Sequence, residues 1–197
     1  MENKRVLIDE KTLRERIKQL AAQITKDYQG EKVTLMCILK GSSYFFADLT
    51  RRIDLETELE FIRIATYQGE ESTGKIDYKL KPDNPVTGKN VIVIEDIIDT
   101  GKTLSFLLDE LQAQHPKSLK LCTLLDKPDR REYEVNVDYV GFTIPNYFVF
   151  GYGLDVDERF RTFPDVNYFT NNTEDKVKED QEAIKLQLVR KPKKKTE

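Results

Sequence analysis

The run Val91-Ile92-Val93-Ile94-Glu95-Asp96-Ile97-Ile98-Asp99-Thr100-Gly101-Lys102-Thr103 constrains this chain more than any other segment. Consecutive β-branched residues favour a strand buried on both faces, and the run stops at two adjacent carboxylates. Asp-Thr-Gly-Lys-Thr follows, and a helical pattern begins at Leu104. A strand–loop–helix junction of this kind belongs to an α/β domain with a parallel sheet. It leaves the first helical N–H groups unpaired and facing outward, where they suit a phosphate. Gly101 permits the tight turn, and the Thr100 and Thr103 hydroxyls add donors.

A nucleoside-triphosphate P-loop ends in the same Gly-Lys-Thr, but it requires a glycine five residues before Gly101, where this chain has Asp96. Two carboxylates would repel a triphosphate unless a metal ion or sugar hydroxyls engaged them. The residues therefore point to a phosphate on the loop, with a ribose diol and Mg²⁺ near Glu95 and Asp96. The segment Glu95 to Thr103 resembles the phosphoribosyl-pyrophosphate signature of type I phosphoribosyltransferases, and its wording is nearest to the hypoxanthine-guanine branch.

The remainder of the chain fits one α/β domain. Leu13, Ile17, Leu20, Ala21, Ile24 and Tyr28 lie at helical spacing, with Thr12 and Glu15 placed for a capping box, and the helix should end near Gly30. Val33 to Leu39 reads as a buried strand, about Tyr44 to Ile53 as a helix, and Glu58 to Ala65 as a strand. Residues 67–88, with three glycines, two prolines and many charges, read as a long mobile loop or loose hairpin. After the strand at Val91 come a helix from Lys102 to about Gln114, a strand from Leu119 to Leu125, and short strands at Tyr139 to Phe142 and Tyr147 to Phe150. Strands alternating with helices predict a mostly parallel central sheet flanked by helices, with ligands beyond the carboxyl ends of the strands. Lys40, the Asp96 to Thr103 loop and Lys127 should then share one edge.

Other classes are excluded by what is missing. No apolar run approaches the roughly 20 residues of a membrane span, and the first residues lack a signal-peptide core, so a cytoplasmic protein without membrane contact is expected. Cys37 and Cys122 fall in apolar strand-like runs and read as buried thiols. The lone His115, at a helix end, leaves no route to a zinc site or a histidine triad. A net charge of −3 gives no sign of nucleic-acid binding, although the chain finishes in a basic run after a charged extension at 171–197.

Further implications come from the resemblance, which spans about Val6 to Phe169. It implies the type I phosphoribosyltransferase fold in residues 1–170, with a small hood lobe built from the N-terminal residues and about 143–170 and a mobile active-site loop at about 67–88. It implies transfer of a phosphoribosyl group from phosphoribosyl pyrophosphate to a purine base in purine salvage, with Mg²⁺, in a homodimer or homotetramer. Asp99 matches the residue regarded as proton acceptor at purine N7, although it also suits the N-cap of the next helix. Glu95 and Asp96 match the ribose-diol and magnesium acids, and Asp99, Thr100, Gly101, Lys102 and Thr103 the 5-phosphate loop. Lys40 and Gly41, in Leu39-Lys40-Gly41-Ser42, resemble the pyrophosphate loop, whose lysine can follow a cis peptide bond in relatives. Arg161 matches the pyrophosphate arginine. Lys127 resembles the lysine that donates to a purine 6-oxo group, Phe148 and Val149 the stacking ring and backbone contact, and Asp155 the residue at magnesium and the base edge. Thr66 and Tyr67 stand where many relatives have Ser-Tyr in the lid, followed by Ser72-Thr73-Gly74. An oxo group requires a donor, so hypoxanthine and guanine are favoured over adenine. A xanthine- or pyrimidine-specific transferase and a non-catalytic sensor of phosphoribosyl pyrophosphate are the rival readings.

Overall fold

The computed structural model describes residues 3–66 and 76–189. Its main sheet has six strands in the order β4-β3-β2-β5-β6-β7. These are β2 (Val33–Ile38), β3 (Thr57–Thr66), β4 (Ile76–Leu80), β5 (Asn90–Ile98), β6 (Ser118–Asp126) and β7 (Tyr139–Thr143). All neighbours are parallel except β3 and β4, which form an antiparallel pair at one edge. Every residue of β2 is buried, as expected of a strand covered on both faces. The chain leaves β2 towards β3 on one side, then returns through β5 to build β6 and β7 on the other. The carboxyl ends of β2 and β5 therefore flank the point where strand order reverses, which is where α/β sheets open a crevice.

Three α-helices cover the sheet. Helix α1 (Glu10–Asp27) buries Leu13, Ile17, Leu20, Ala21 and Ile24, the face read from their spacing. Its start differs from the Thr12/Glu15 capping box. Asp9 is the N-cap, and its Oδ1 accepts from the Thr12 N–H at 2.8 Å, so Thr12 is the capped residue. Helix α2 spans Ser43–Thr50, shorter than the expected 44–53, and α3 spans Lys102–Gln112. Within 67–88, residues 76–80 are strand β4. The segment after it is anchored by buried Glu60, which accepts from Asp83 N and Asn84 Nδ2 at 2.9 and 2.8 Å.

A second sheet, β1-β9-β8, stands apart from the first. It joins β1 (Lys4–Ile8), β8 (Val149–Phe150) and β9 (Val166–Phe169), all antiparallel. The expected strand at Tyr147 to Phe150 is thus only two residues long and pairs in this smaller sheet. Its ladder is short because Val149 and Phe150 are the residues that meet β9. Helix α4 (Glu174–Leu186), capped by Thr173, packs on β1 with Val177 and Ile184 buried. Among the described residues no helix is long and apolar enough to cross a membrane. Cys37 and Cys122 are free and buried, and burial pushes the Cys37 thiol up to about 11 and the Cys122 thiol higher still.

Candidate active site

The site forms around the loop after β5. Gly101, with φ +82°, occupies the N-cap position of α3, so the cap expected of Asp99 falls two residues later. A side chain at Gly101 would meet the Tyr133 carbonyl oxygen at 2.9 Å, which, with the positive φ, accounts for glycine here. The Thr100 hydroxyl accepts weakly from Lys102 N at 3.4 Å. Residues 95–104, with Ile38 and Ile64, line an open cleft of about 330 Å³.

Glu95 and Asp96 sit at the floor of that cleft. Asp96 is buried, with Oδ1 accepting from Ile97 N at 2.7 Å, and Glu95 Oε1 accepts from Asp96 N at 2.9 Å. Burial, then the neighbouring Asp96 charge, holds Glu95 well above the usual carboxylate range, and burial raises Asp96 as well. Two desolvated acids side by side call for an external partner, either hydroxyl donors or a cation.

The pyrophosphate-loop residues close on this pair. A methyl group on Gly41 would lie 1.6 Å from Asp96 Oδ2, so the loop after β2 reaches the acids only because it has no side chain there. The Leu39–Lys40 peptide bond is cis. Gly153 in turn abuts Gly41: a methyl on Gly153 would fall 1.9 Å from the Gly41 carbonyl oxygen. Arg161 Nη1 donates to the Gly153 carbonyl at 2.7 Å, and its Nη2 pairs with Asp155 at 2.8 Å and Glu158 at 3.2 Å. Glu158 also pairs with Lys40 at 2.7 Å. Lys40, Arg161 and Asp155 are therefore brought together, and the acid that joins the two cations, Glu158, is one that sequence reasoning passed over, although it lies three residues before Arg161.

On the other side of the loop, the parallel register pairs Ile98 with Asp126, which sets Lys127 beside Asp99. Lys127 is 6% exposed and donates its backbone N–H to the Ile98 carbonyl at 3.1 Å. Burial lowers its pKa, while the Asp99 charge works against that. Asp99 Oδ1 accepts from Arg130 Nε at 2.9 Å, and both side chains are half-exposed. Arg131 pairs with Asp126 and reaches the Asp99 carbonyl at 3.4 Å, and the Thr100 carbonyl accepts from Glu132 N and Tyr133 N, each at 3.0 Å. The stretch after Lys127 is thus a strap across the phosphate loop, which the two arginines of Asp126-Lys127-Pro128-Asp129-Arg130-Arg131 signal only in retrospect. Phe148 is 63% exposed, and Val149 is buried beside it in β8. Thr66 ends β3, whereas Tyr67 and Ser72-Thr73-Gly74 lie outside the described residues.

Residues 7–157 match the model of the phosphoribosyl transferase domain. A hypoxanthine phosphoribosyltransferase from Buchnera aphidicola subsp. Schizaphis graminum is 45% identical over 163 residues, covering 81% of this chain and 92% of that protein. The chain belongs to the phosphoribosyl transferase family, on its hypoxanthine-guanine branch. A crystal structure of a hypoxanthine-guanine phosphoribosyltransferase from Bacillus anthracis superposes with a TM-score of 0.81 at 46% identity, over 86% of this chain and all of that one. The Listeria monocytogenes bifunctional protein TilS/HprT is 44% identical over 161 residues, which make up 25% of its length. As a member of the type I phosphoribosyltransferases, the chain has the mixed fold and crevice position described above.

Among the described residues no group of three or more His, Cys, Asp or Glu could hold a metal by itself. The donor set nevertheless fits Mg²⁺, which keeps waters and binds through one or two carboxylates plus substrate phosphates. Glu95 and Asp96 supply hard oxygens in the cleft, while the Asp155 carboxylate is engaged by Arg161 and the Glu158 N–H.

Proposed function

We propose that this transferase moves the phosphoribosyl group of 5-phospho-α-D-ribose 1-diphosphate to hypoxanthine or guanine, giving IMP or GMP and pyrophosphate, in the cytoplasm and as a homodimer or homotetramer. The observation that carries this reading is the register of β5 against β6. It puts a buried lysine, a donor matched to a 6-oxo group, beside the loop that suits a ribose 5-phosphate.

In this reading the amides and hydroxyls from Asp99 to Thr103 hold the 5-phosphate, and Glu95 and Asp96 take the ribose diol. Lys40, the Gly41 backbone and Arg161 face the pyrophosphate. Lys127 donates to the 6-oxo group, Phe148 stacks on the ring, and Val149 and Asp155 meet its edge. Mg²⁺, held by Asp155 and the acid pair with substrate oxygens, would neutralise charge on the leaving group. The bond from C1 of the ribose to the pyrophosphate oxygen breaks, and the bond from purine N9 to C1 forms. Asp99 accepts the proton from N7, which requires its carboxylate to exchange Arg130 for the base. Thr66 and Tyr67 belong to a lid that excludes water from the reacting ribosyl centre.

The test is incubation with phosphoribosyl pyrophosphate, Mg²⁺ and each base in turn. IMP and GMP are expected. XMP or a pyrimidine nucleotide as the main product would move the specificity, and no nucleotide with any base would leave a non-catalytic sensor.

A further inference from the structure

Helix α4 lies beyond the matched residues 7–157, yet two of its polar side chains reach the loop on the purine side of the site. Val177 and Ile184 bury its apolar face, and Gln181 Nε2 donates to the Val6 carbonyl at 2.7 Å, which is enough to seat the helix on β1. Pairs of Glu174 with Arg5 and of Lys185 with Asp9, at 3.2 and 3.7 Å, add to that seating, whereas Gln187 and Asp180 reach elsewhere. Gln187, at the end of the helix, grips the backbone of Thr143 twice: its Oε1 accepts from Thr143 N at 2.9 Å and its Nε2 donates to the Thr143 carbonyl at 2.8 Å. Asp180, only 7% exposed, accepts from the Tyr147 hydroxyl at 2.8 Å and pairs through its other oxygen with Lys176 at 3.0 Å. The Tyr147 ring stacks on Tyr168 of β9, with centroids 4.7 Å apart and planes at 27°.

These contacts fix both ends of the segment from Thr143 to Tyr147. Between them Ile144 is buried and donates its N–H to the Asp126 carbonyl at 2.9 Å, next to Lys127. Phe148 follows Tyr147 directly and stands 63% exposed, so its direction is inherited from the backbone on either side. On one side that backbone is Tyr147, held by Asp180, and on the other it is Val149, paired with Tyr168.

We propose that α4 positions the acceptor base: Gln187 and Asp180, acting through Thr143 and Tyr147, hold the loop that presents Phe148 to the flat face of the purine. This rests on the stacking role given to Phe148 above. Neither Gln187 nor Asp180 touches substrate in this scheme, so both are positioning residues.

Steady-state kinetics of the full chain, with guanine or hypoxanthine varied at saturating phosphoribosyl pyrophosphate and with phosphoribosyl pyrophosphate varied at saturating base, both with saturating Mg²⁺, test it. Tyr147→Phe and Gln187→Ala should each raise KM for the base about fivefold, the effect of losing one charge-assisted hydrogen bond or two neutral ones, and the double variant should exceed either. kcat and KM for phosphoribosyl pyrophosphate should stay within about twofold. Asp180→Asn keeps an acceptor for the Tyr147 hydroxyl and should hold the parental base KM even if its melting temperature falls with the loss of the Lys176 pair. Phe148→Ala is the reference. If it raises base KM while the double variant does not, the positioning role is overturned and the stacking role stands. If Phe148→Ala leaves base KM unchanged, the stacking role fails and the positioning role with it. An equal loss across both substrates and kcat in the double variant also overturns the proposal, because it marks general damage.

Discussion

Replacing Gly153 by alanine should disturb the pyrophosphate loop from outside it. Gly153 has φ +101°, and a methyl group there would stand 1.9 Å from the Gly41 carbonyl oxygen, a backbone atom that cannot rotate away. Holding a non-glycine residue at such a φ costs about 1–3 kcal/mol. Forcing a packed backbone aside adds about 1–3 kcal/mol more. A total of about 2–6 kcal/mol, at roughly 2–4 °C per kcal/mol for a chain of this size, lowers the melting temperature by about 4–24 °C. Gly41 also carries the link to Asp96, so a shift of about 1 Å should cost on the order of a hundredfold in kcat/KM for phosphoribosyl pyrophosphate. Gly30→Ala is the matched control, with φ +80° and nothing within 4 Å of the added methyl. It carries the conformational cost of about 1–2 kcal/mol alone and should leave kinetics untouched. Differential scanning calorimetry and initial rates measure both variants. Equal melting temperatures for the two, with normal donor kinetics in Gly153→Ala, would refute the contact between Gly153 and Gly41 as a support of the site.

Asp99→Asn should lower kcat by about 10²–10⁴-fold with smaller effects on either KM, read from single-turnover rates, and normal turnover would remove Asp99 from the base role. Burial holds the Lys127 ammonium below the usual lysine range, so its proton leaves at lower pH than an exposed lysine's. Base KM should therefore rise with pH on a limb that Lys127→Met abolishes. Glu95 and Asp96 are raised by burial, so their charged forms oppose folding, an effect present above the ordinary carboxylate range and relieved as acidification protonates them. Glu95→Gln should accordingly raise the melting temperature at neutral pH while weakening donor binding, by calorimetry and KM. Chelation by EDTA should abolish turnover with the melting temperature unchanged, because the donors around the cleft are completed by substrate phosphates and not by the protein alone.

The parts legible from sequence were those whose signals are local. Strand β5 and its loop stood out because β-branched residues, two acids and a turn glycine lie consecutively, and the place of Lys127 followed from parallel strand order. Less legible were features set by distant partners. Strand β1 is a five-residue run that becomes a strand only through pairing with β9, as in Lys4 with Phe169. Asp9 displaced Thr12 as the cap of α1 because helix starts tolerate several short polar residues, and the one nearest the preceding strand took the position. The role of Glu158 depends on a fold that brings Lys40 across 118 residues to meet it. Helix α4 buries Val177 and Ile184 at helical spacing, but the bonds of Asp180 and Gln187 to the 143–147 loop have no periodic signature.

The smaller sheet is sewn from opposite ends of the chain, and that sets an order of completion during synthesis. Strands β2, β3, β5 and β6, with the phosphate loop and both acids, have all emerged once Asp126 clears the ribosome. The base side waits for β8 and β9 to find β1, and then for α4 to close over Thr143 and Tyr147. The phosphate loop and its acids thus come off the ribosome before Arg161, Asp155 and the base side, and β1, translated before the main sheet, must remain unpaired until β9, translated after it, arrives to meet it.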